Sequence, residues 1–302
     1  MSDQRRGFTL GFLAYLMWGA FPLYWPLLEP SGAVEILAHR MVWSLVVMGV
    51  LVLLLRRTAA LRAILRERST ALLLGVAAAT ITVNWGTYIY GVNSDRVVET
   101  SLGYFINPLV TVLMGVLILG ERLRPVQWTA LGIGLAAVVV LTVDYGRPPV
   151  IALVLAFSFG TYGLAKKSAG VGAIESLTFE TAVIAPFAVG YLVWLGSTGH
   201  GHLTGHGAGH VALLVASGVV TAVPLLCFGG AATRVSMTTL GLLQYLAPVL
   251  QFALGITVLG ERMPLGRWIG FGLVWLALVI LTIEALRHHR RQLALAAEAC
   301  AV

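Results

Sequence analysis

Long apolar segments that contain no Asp, Glu, Lys or Arg are the feature of this sequence that most restricts its fold. Five such segments cover residues 71–93, 126–143, 148–165, 211–233 and 235–260. Each can cross the hydrocarbon core of a bilayer, because about 20 helical residues span about 30 Å. Only 11% of the 302 residues are charged, against about a quarter in an average soluble domain. The sequence therefore predicts an all-α integral membrane protein.

Turn signals between the apolar segments divide the chain into ten predicted transmembrane helices. They cover residues 8–28, 34–55, 71–93, 98–119, 126–143, 149–166, 176–196, 211–232, 239–259 and 267–286. With the N-terminus inside, fifteen of the 20 Lys and Arg residues lie in inner segments, as the positive-inside rule requires. We therefore expect a multi-pass protein of the bacterial inner membrane with both termini in the cytoplasm.

Segments of the chain recur after a constant number of residues, the distance in sequence from Gly120 to Gly260, which we call the repeat offset. Gly-Glu-Arg at 120–122 returns at 260–262, and the same offset matches Pro108 with Pro248 and Trp128 with Trp268. The offset superimposes the five predicted helices of residues 1–145 on the five of 148–286, leaving 287–302 as a cytoplasmic tail. Five is odd, so the two halves must enter the membrane from opposite sides, as in several secondary transporters. The alternative is a duplication that only enlarged a helical bundle.

Prolines and polar side chains recur at matched positions of predicted helices 4 and 9. Pro108 and Pro248 fall near the centres of these helices, where each should free a backbone carbonyl and kink the helix. A polar stripe accompanies each kink, and polar groups with helix disruption near mid-bilayer are typical of a transport site. The stripes are formed by Tyr104, Asn107 and Thr111 in the first half and by Gln244 and Gln251 in the second. Hydrogen bonds that merely hold the bundle together remain the alternative.

Charged residues inside the spans are costly and indicate function. Arg40, next to His39, and Glu180 occupy the same repeat position, and we expect them to face a polar cavity from opposite sides as ligands for substrate or protons. The alternative is that Arg40 and Glu180 extend towards the two membrane surfaces. Aromatic and amide side chains complete the predicted cavity. These are Trp18, Trp43, Asn84, Trp85, Tyr88, Tyr162 and Tyr245.

Other conspicuous residues predict no chemistry. Four further tryptophans near span ends fit interfacial anchors, namely Trp25, Trp128, Trp194 and Trp268. The histidine-rich segment 200–210 could bind a metal, but its irregular spacing favours a solvated loop. Cys227 and Cys300 have neither disulfide nor metal-ligand spacing. The net charge of +7 is distributed between apolar segments, which argues against a nucleic-acid surface. We expect no metal and no cofactor.

Several motifs together resemble the RarD group of EamA-type proteins in the drug/metabolite transporter superfamily. They are Glu-Ile-Leu-Ala-His-Arg at 35–40, Asn-Trp at 84–85, Ser-Leu-Gly-Tyr-Phe-Ile-Asn-Pro-Leu at 101–109, Leu-Gly-Glu-Arg at 119–122, Ala-Phe-Ser-Phe-Gly at 156–160 and Val-Pro-Leu-Leu-Cys-Phe at 223–228. The resemblance covers almost the whole chain. It implies two EamA-type repeats that form a central cavity, and export of amino acids, metabolites or drugs such as chloramphenicol.

The predicted function is therefore a transporter for a small organic solute that works by alternating access and could be coupled to protons. The expected partners are that solute, the lipid bilayer and protons, with the chain as a monomer or a homodimer. A membrane-embedded enzyme that uses His39, Arg40 and Glu180 is the alternative, although no HExxH, GxSxG or phosphate-binding glycine loop occurs. A signalling bundle would need a soluble partner domain.

Overall fold

A computed structural model describes residues 3–120, 122–232, 234, 235, 239 and 242–300. The described residues form eleven α-helices and two short 3-10 turns, Phe21–Leu23 and Trp25–Leu28. The helices are α1 (Asp3–Gly19), α2 (Ala33–Leu54), α3 (Thr58–Arg66), α4 (Arg68–Val92), α5 (Val97–Leu119), α6 (Pro125–Tyr145), α7 (Val150–Ala169), α8 (Ala173–Thr198), α9 (Gly207–Ala232), α10 (Leu246–Thr257) and α11 (Leu265–Cys300).

Seven of these helices are long and apolar enough to cross a membrane, namely α2, α4, α5, α6, α8, α9 and α11. Two shorter apolar stretches lie in α7 and α10, and α1 precedes them all. Every predicted span thus corresponds to a helix. Large apolar side chains cover the outside of the bundle, including Phe187 at 75% exposure and Val143 at 77%, as a lipid-facing surface requires. The chain is an all-α membrane protein.

Helix boundaries depart from the prediction where proline changes the backbone. The first span was predicted to run to residue 28, but α1 ends at Gly19 and the chain continues in the two 3-10 turns, each with a proline in its first two positions. Pro248 was predicted as a mid-helix kink, and a turn at 244–245 separates the helical residues 242–243 from the helix that starts at Leu246. Pro248 follows this interruption in the first turn of α10, where a missing N–H costs no hydrogen bond. Pro108 does lie inside α5 as predicted.

Two further differences concern segments between and after the spans. The structure adds α3, which buries Ile64 and leaves Arg62 and Arg66 exposed, a pattern typical of a helix lying on a membrane surface. The predicted tail continues helix α11 as far as Cys300 instead of starting a separate segment at residue 287. The beginning of the predicted ninth helix, at 240–241, lies outside the described residues.

The two halves of the chain pack as an inverted repeat. Three pairs of helices that match at the repeat offset are in contact, namely α2 with α8, α5 with α10, and α6 with α11. The α6–α11 pair is antiparallel, because Arg124 before α6 pairs with Glu284 late in α11, and Asp144 at the end of α6 pairs with Arg267 at 3.1 Å. Asp144 and Glu284 themselves occupy the same repeat position. Matched helices that run in opposite directions are the arrangement predicted from the odd helix count.

A glycine permits a close approach of the two backbones in the α2–α9 contact. A Cβ atom built on Gly218 of α9 would lie 2.6 Å from the carbonyl oxygen of Trp43 and would also overlap its carbonyl carbon. Small residues at helix crossings are typical of membrane bundles, since backbones can then touch. This contact sets the distance between α2 and Thr221, which lies one turn beyond Gly218.

Candidate functional site

Arg40 is the centre of the candidate site. It lies about two turns into α2, and its side chain is 2% exposed. The guanidinium carbon is 3.8 Å from the ring centroid of Trp85, 5.1 Å from that of Trp25 and 5.8 Å from that of Phe21. Its Nε donates a hydrogen bond of 2.7 Å to Thr221 Oγ1 on α9. We call this cluster of Arg40, Phe21, Trp25, Trp85 and Thr221 the Arg40 box.

Several polar atoms in and around the Arg40 box have no hydrogen-bond partner among the described residues. They include Nη1 of Arg40, Nε1 of Trp25, Nε2 of the neighbouring His39 and the hydroxyl of Tyr88. Tyr88 belongs to the same core cluster as Trp25. Native proteins satisfy nearly all buried polar groups, so a concentration of unsatisfied ones indicates a place where a ligand binds.

Asn84 holds α4 against α7 beside the box. Its amide nitrogen donates to the carbonyl of Leu155 at 2.9 Å and to Ser158 Oγ at 3.0 Å. Its oxygen accepts a hydrogen bond of 3.3 Å from the hydroxyl of Tyr104. The ring of Tyr104 lies 5.7 Å from that of Tyr88. These two predicted cavity tyrosines therefore lie in one aromatic layer, which Asn84 orients.

Glu180, on α8, belongs to a second polar cluster, together with Tyr162 and Lys166 of α7. One of its oxygens is 3.3 Å from the Lys166 ammonium, and the other accepts a hydrogen bond of 3.3 Å from the hydroxyl of Tyr162. Lys166 also donates to that hydroxyl at 2.9 Å. Trp85 packs against the core clusters of Tyr162 and of Met41 on α2, and its ring also contacts Arg40. Arg40 and Glu180 thus belong to two polar sites with different partners, and Trp85 packs beside both.

Predicted site residues of the second repeat lie farther from Arg40. Gln251 is buried on α10, where its amide nitrogen donates to the carbonyl of Trp18 at 3.0 Å and its oxygen has no partner. Tyr245 lines an apolar crevice between α5, α11 and the segment that precedes α10. Gln244 lies in the turn before α10 and is half-buried. Gln251 therefore links α10 to α1, and the structure does not gather these residues with the Arg40 box.

The polar stripe of α5 is only partly directed inwards. Asn107 has a buried side-chain oxygen without a partner, whereas Thr111 is exposed and donates to the carbonyl of Asn107 at 2.9 Å. Trp43 is half-buried, and its indole nitrogen has no partner. Asn107 and Trp43 thus keep unused polar groups within the bundle, and Thr111 serves its own helix.

The α2–α8 pair is fastened at both ends by matching contacts. Glu35, in the first turn of α2, contacts His202, which follows α8. The backbone N–H of His202 donates to one carboxylate oxygen of Glu35 at 2.7 Å, and His202 Nδ1 lies 2.7 Å from the other oxygen. Glu175 in the first turn of α8 binds Arg57, which follows α2, at 3.1 Å. Glu35 and Glu175 occupy the same repeat position, so the two clamps use equivalent carboxylates at opposite ends, each with a different partner. We call them the histidine clamp and the arginine clamp.

The histidine-rich segment is more ordered than a solvated loop. Besides the bond of His202 to Glu35, the ring of His206 lies 5.4 Å from that of His202 and 5.6 Å from that of His210. His210 is buried in α9 and contacts Ser31 Oγ at 3.1 Å. The prediction of a solvated loop missed these contacts because they depend on residues far away in the sequence. Among the described residues, no group of His, Cys, Asp and Glu has the geometry to hold a metal ion.

Two charged groups outside the spans fasten helix ends. Glu261, in the turn after α10, accepts hydrogen bonds from the N–H groups of Val97 and Val98 at the start of α5. Burial raises the pKa of Glu261 to about 7, although the two N–H groups act in the opposite direction. Before α7, Arg147 pairs with the buried Glu99 at 2.7 Å, and this hydrogen bond raises the pKa of Arg147.

Sequence patterns missed several members of these clusters. Trp25 was predicted as an interfacial anchor, but it is fully buried against Arg40, whereas Trp128 and Trp194 are more than half exposed as anchors require. Thr221 gave no signal because a single threonine in an apolar segment is common. Lys166 was assigned to the inner surface by charge alone, although its partner Glu180 had been singled out.

Comparison with known proteins supplies the family. The sequence profile of the EamA-like transporter family matches residues 5–143 and again residues 148–283, which together are most of the chain. The chain belongs to the EamA-like transporter family. The paired match agrees with the two antiparallel halves, and EamA-like proteins are described as transporters. The chain is accordingly a multi-pass membrane transporter.

Relatives within the EamA-like family match along nearly their whole length. "Protein RarD" of Streptomyces exfoliatus is 59% identical over 290 residues, covering 96% of this chain and 92% of that protein. "Protein RarD" of Escherichia coli K12 is 39% identical, with coverage of 96% and 98%. A "Chloramphenicol-sensitive protein RarD" of Pseudomonas aeruginosa is 30% identical, with coverage of 97% and 98%. A solved crystal structure at 21% identity shares the fold, with a TM-score of 0.60 over 92% of this chain and 98% of that one.

Proposed function

We propose that this protein carries a small organic solute across the bacterial inner membrane by alternating access. The observation that carries this proposal is the pair of matching clamps at the two ends of the antiparallel α2–α8 pair, with buried polar sites between them. In an inverted repeat, exchanging the shapes of the two halves turns a state open to one side into a state open to the other. Such an exchange needs a breakable contact at each end, and the equivalent carboxylates Glu35 and Glu175 supply one each.

The halves 1–145 and 148–286 are the moving units, with 287–302 as the cytoplasmic tail. With both termini inside, the arginine clamp closes the inner end and the histidine clamp the outer end. Breaking one clamp while the other holds opens the site to one compartment only. Solute enters from the cytoplasm when Arg57 releases Glu175, and leaves outwards when His202 releases Glu35, so export is the direction we propose.

The solute binds between the Trp85 ring and the aromatic layer of Tyr88 and Tyr104. Large rings supply apolar area, and the unsatisfied groups of the Arg40 box orient polar atoms of the solute. The name of the Pseudomonas aeruginosa relative makes chloramphenicol one solute to test. His39, Asn107 and Gln251 keep unpaired polar atoms and are further candidates for contact with the solute.

Glu180 is the residue that we propose for proton coupling. Its carboxylate is 1% exposed and is balanced by Lys166 and the Tyr162 hydroxyl. When the halves move, loss of the Lys166 contact would leave a buried carboxylate unpaired, and such a group takes up a proton. Transport by wild-type protein should therefore respond to a pH gradient, and Glu180→Gln should transport without that response.

The enzyme alternative gains no support from the geometry. Arg40 contacts Trp85 and Thr221, whereas Glu180 is paired with Lys166 and Tyr162. Acid–base catalysis requires its groups within hydrogen-bond reach of one reacting molecule, and these groups make no contact with each other among the described residues.

The clamps supply the experiment. Cysteine pairs at Arg57 and Glu175, or at Glu35 and His202, are introduced after Cys227 and Cys300 are replaced by serine, and the purified protein is reconstituted in liposomes. Counterflow of radiolabelled chloramphenicol and of labelled carboxylic solutes is measured before and after a short bis-methanethiosulfonate linker is added. We expect either linked pair to stop counterflow, and reduction to restore it.

Each single-cysteine variant treated with the same linker is the matched control and should keep its counterflow. Transport that continues with both ends linked would contradict alternating access between the clamps. Product formation from these solutes by detergent-purified protein, without two compartments, would contradict transport in favour of the enzyme.

A further inference from the structure

Arg40 is a buried cation that has no counter-ion within the described part of the chain. A charged side chain within a bilayer is expensive and is normally paired. Among the described residues no carboxylate forms an ion pair with Arg40. The acidic residues of α2 and α8 each have another partner, namely His202 for Glu35, Arg57 for Glu175 and Lys166 for Glu180.

The contacts of Arg40 compensate its charge only in part. Nε has an acceptor in Thr221, and the guanidinium lies on the face of Trp85 at 3.8 Å, where the ring attracts a cation. Nη1 has no acceptor among the residues that the structure describes. An aromatic face stabilises a guanidinium but cannot accept its hydrogen bonds in the planar, forked geometry that a carboxylate offers.

The unsatisfied groups around Arg40 have one chemical property in common, which is that they can donate hydrogen bonds. Besides Nη1 of Arg40 they are the indole N–H of Trp25, the hydroxyl of Tyr88 and Nε2 of His39, which donates in one of the two imidazole tautomers. Among the described residues, the buried amide and carboxylate acceptors without a hydrogen bond are side-chain oxygens of Asn107, Gln251, Asn93 and Glu180, and the last of these forms an ion pair with Lys166. A site with one fixed positive charge and an excess of donors is complementary to a small anion.

We propose that the Arg40 box binds the carboxylate of a monocarboxylic solute that carries an apolar, ring-sized group. This inference rests on the proposed transport function and names its substrate class. One guanidinium balances one negative charge, so a monoanion fits better than a dianion such as a phosphate monoester. The rings of Phe21, Trp25 and Trp85 leave an apolar wall for the rest of the solute.

Matched pairs of solutes test this, because an acid and its amide have nearly the same shape and differ in charge. The full-length protein in detergent at pH 7.5 is titrated with phenylacetate and phenylacetamide, with indole-3-acetate and indole-3-acetamide, and with phenyl phosphate. Thermal unfolding and intrinsic tryptophan fluorescence report binding. We expect both carboxylates to raise Tm and to bind at least about tenfold more tightly than their amides and than phenyl phosphate.

Variants assign the effect to Arg40. Arg40→Gln should lose the preference for acid over amide, and Arg40→Lys, which keeps the charge without the fork, should keep the preference with weaker binding. Arg62→Gln, on the exposed face of α3, is the matched control and should bind as the wild type does. If Arg40→Gln does not fold, the comparison of acid with amide in the wild type and in Arg40→Lys still decides.

Equal binding of acids and amides, stronger binding of phenyl phosphate, no binding of either carboxylate, or a preference that survives Arg40→Gln would each overturn the inference. Failure of the transport proposal is distinguishable from these results. If Arg40→Gln transports neutral solutes at the wild-type rate, the transport proposal stands and the anion site is refuted. If carboxylates bind at Arg40 but no labelled solute shows counterflow, the anion site stands and the transport proposal is refuted.

Discussion

Adding one methyl group at Gly218 should disturb both the packing of the bundle and the Arg40 box. A Cβ at this position would lie 2.6 Å from the carbonyl oxygen of Trp43. Ordinary van der Waals contact begins at 3.4 Å, so Gly218→Ala must push α9 away from α2 by about 1 Å. The atoms it meets belong to the backbone of α2, and no change of rotamer can relieve the clash.

The size of the effect follows from that separation. A gap of about 0.5–1 Å forfeits a quarter to a half of the dispersion energy of the contacts that it opens. Overpacking of this kind typically costs about 1–3 kcal/mol, which corresponds to a fall in Tm of several degrees, roughly 2–4 °C per kcal/mol. Thr221 moves with α9, so its hydrogen bond of 2.7 Å to Arg40 should lengthen and break.

The assay is thermal unfolding in detergent together with the binding of phenylacetate. Gly49→Ala is the matched control, because Gly49 lies on α2 and a Cβ there meets nothing within 4 Å. We expect Gly218→Ala to lower Tm and to weaken binding, and Gly49→Ala to change neither. A Gly218→Ala protein whose Tm lies within about 1 °C of the control would refute this close packing of α9 against α2.

Three further predictions concern the buried polar groups. Burial raises the pKa of Glu261 to about 7, so the folded state binds this proton more tightly than the unfolded state does. The free energy of unfolding should therefore fall as pH rises from about 5 to 8. Chemical denaturation at several pH values should show a smaller fall for Glu261→Gln than for the wild type. Replacing Asn84 with Leu removes the hydrogen bonds of 2.9 and 3.0 Å that it donates and the one of 3.3 Å that it accepts from Tyr104, and should lower the unfolding free energy by about 1–3 kcal/mol. A loss no greater than that of Thr80→Val, whose hydroxyl bonds only its own helix, would contradict the role of Asn84. Glu180→Gln and Lys166→Met should each lower the free energy of unfolding by about 1–3 kcal/mol, and the double variant should lose less than the sum of the two single variants. Additive losses would mean that the two side chains do not interact.

Local patterns predicted where the ten apolar helices lie along the chain, since apolar length determines whether a segment can cross a bilayer, but they missed the amphipathic α3. The repeat offset, with an odd number of helices in each half, also predicted antiparallel pairing, which α6 and α11 show through Asp144 and Glu284. Arg40 and Glu180 could be singled out because charge inside an apolar segment is rare. These conclusions need only residue types and spacing.

Partners in space could not be predicted in the same way. Trp25 looked like an interfacial residue because it lies near the end of a predicted span, and only the two 3-10 turns after Gly19 bring its ring to Arg40. The bond between Glu35 and His202 joins residues 167 positions apart. Pro248 has the same repeat position as Pro108. Pro108 lies inside α5, whereas Pro248 lies in the first turn of α10, so the two prolines differ in their position within the helix.

The inverted arrangement of the two halves is tested most directly by locating matched turns relative to the membrane. Leu123→Cys and Met263→Cys, at the same repeat position, are made separately in protein whose Cys227 and Cys300 are replaced by serine. Each is labelled in intact cells with a membrane-impermeant maleimide, before and after permeabilisation. We predict that Met263→Cys reacts in intact cells and that Leu123→Cys reacts only after permeabilisation. Labelling of both positions from the same side would contradict the inverted repeat and the transport cycle built on it.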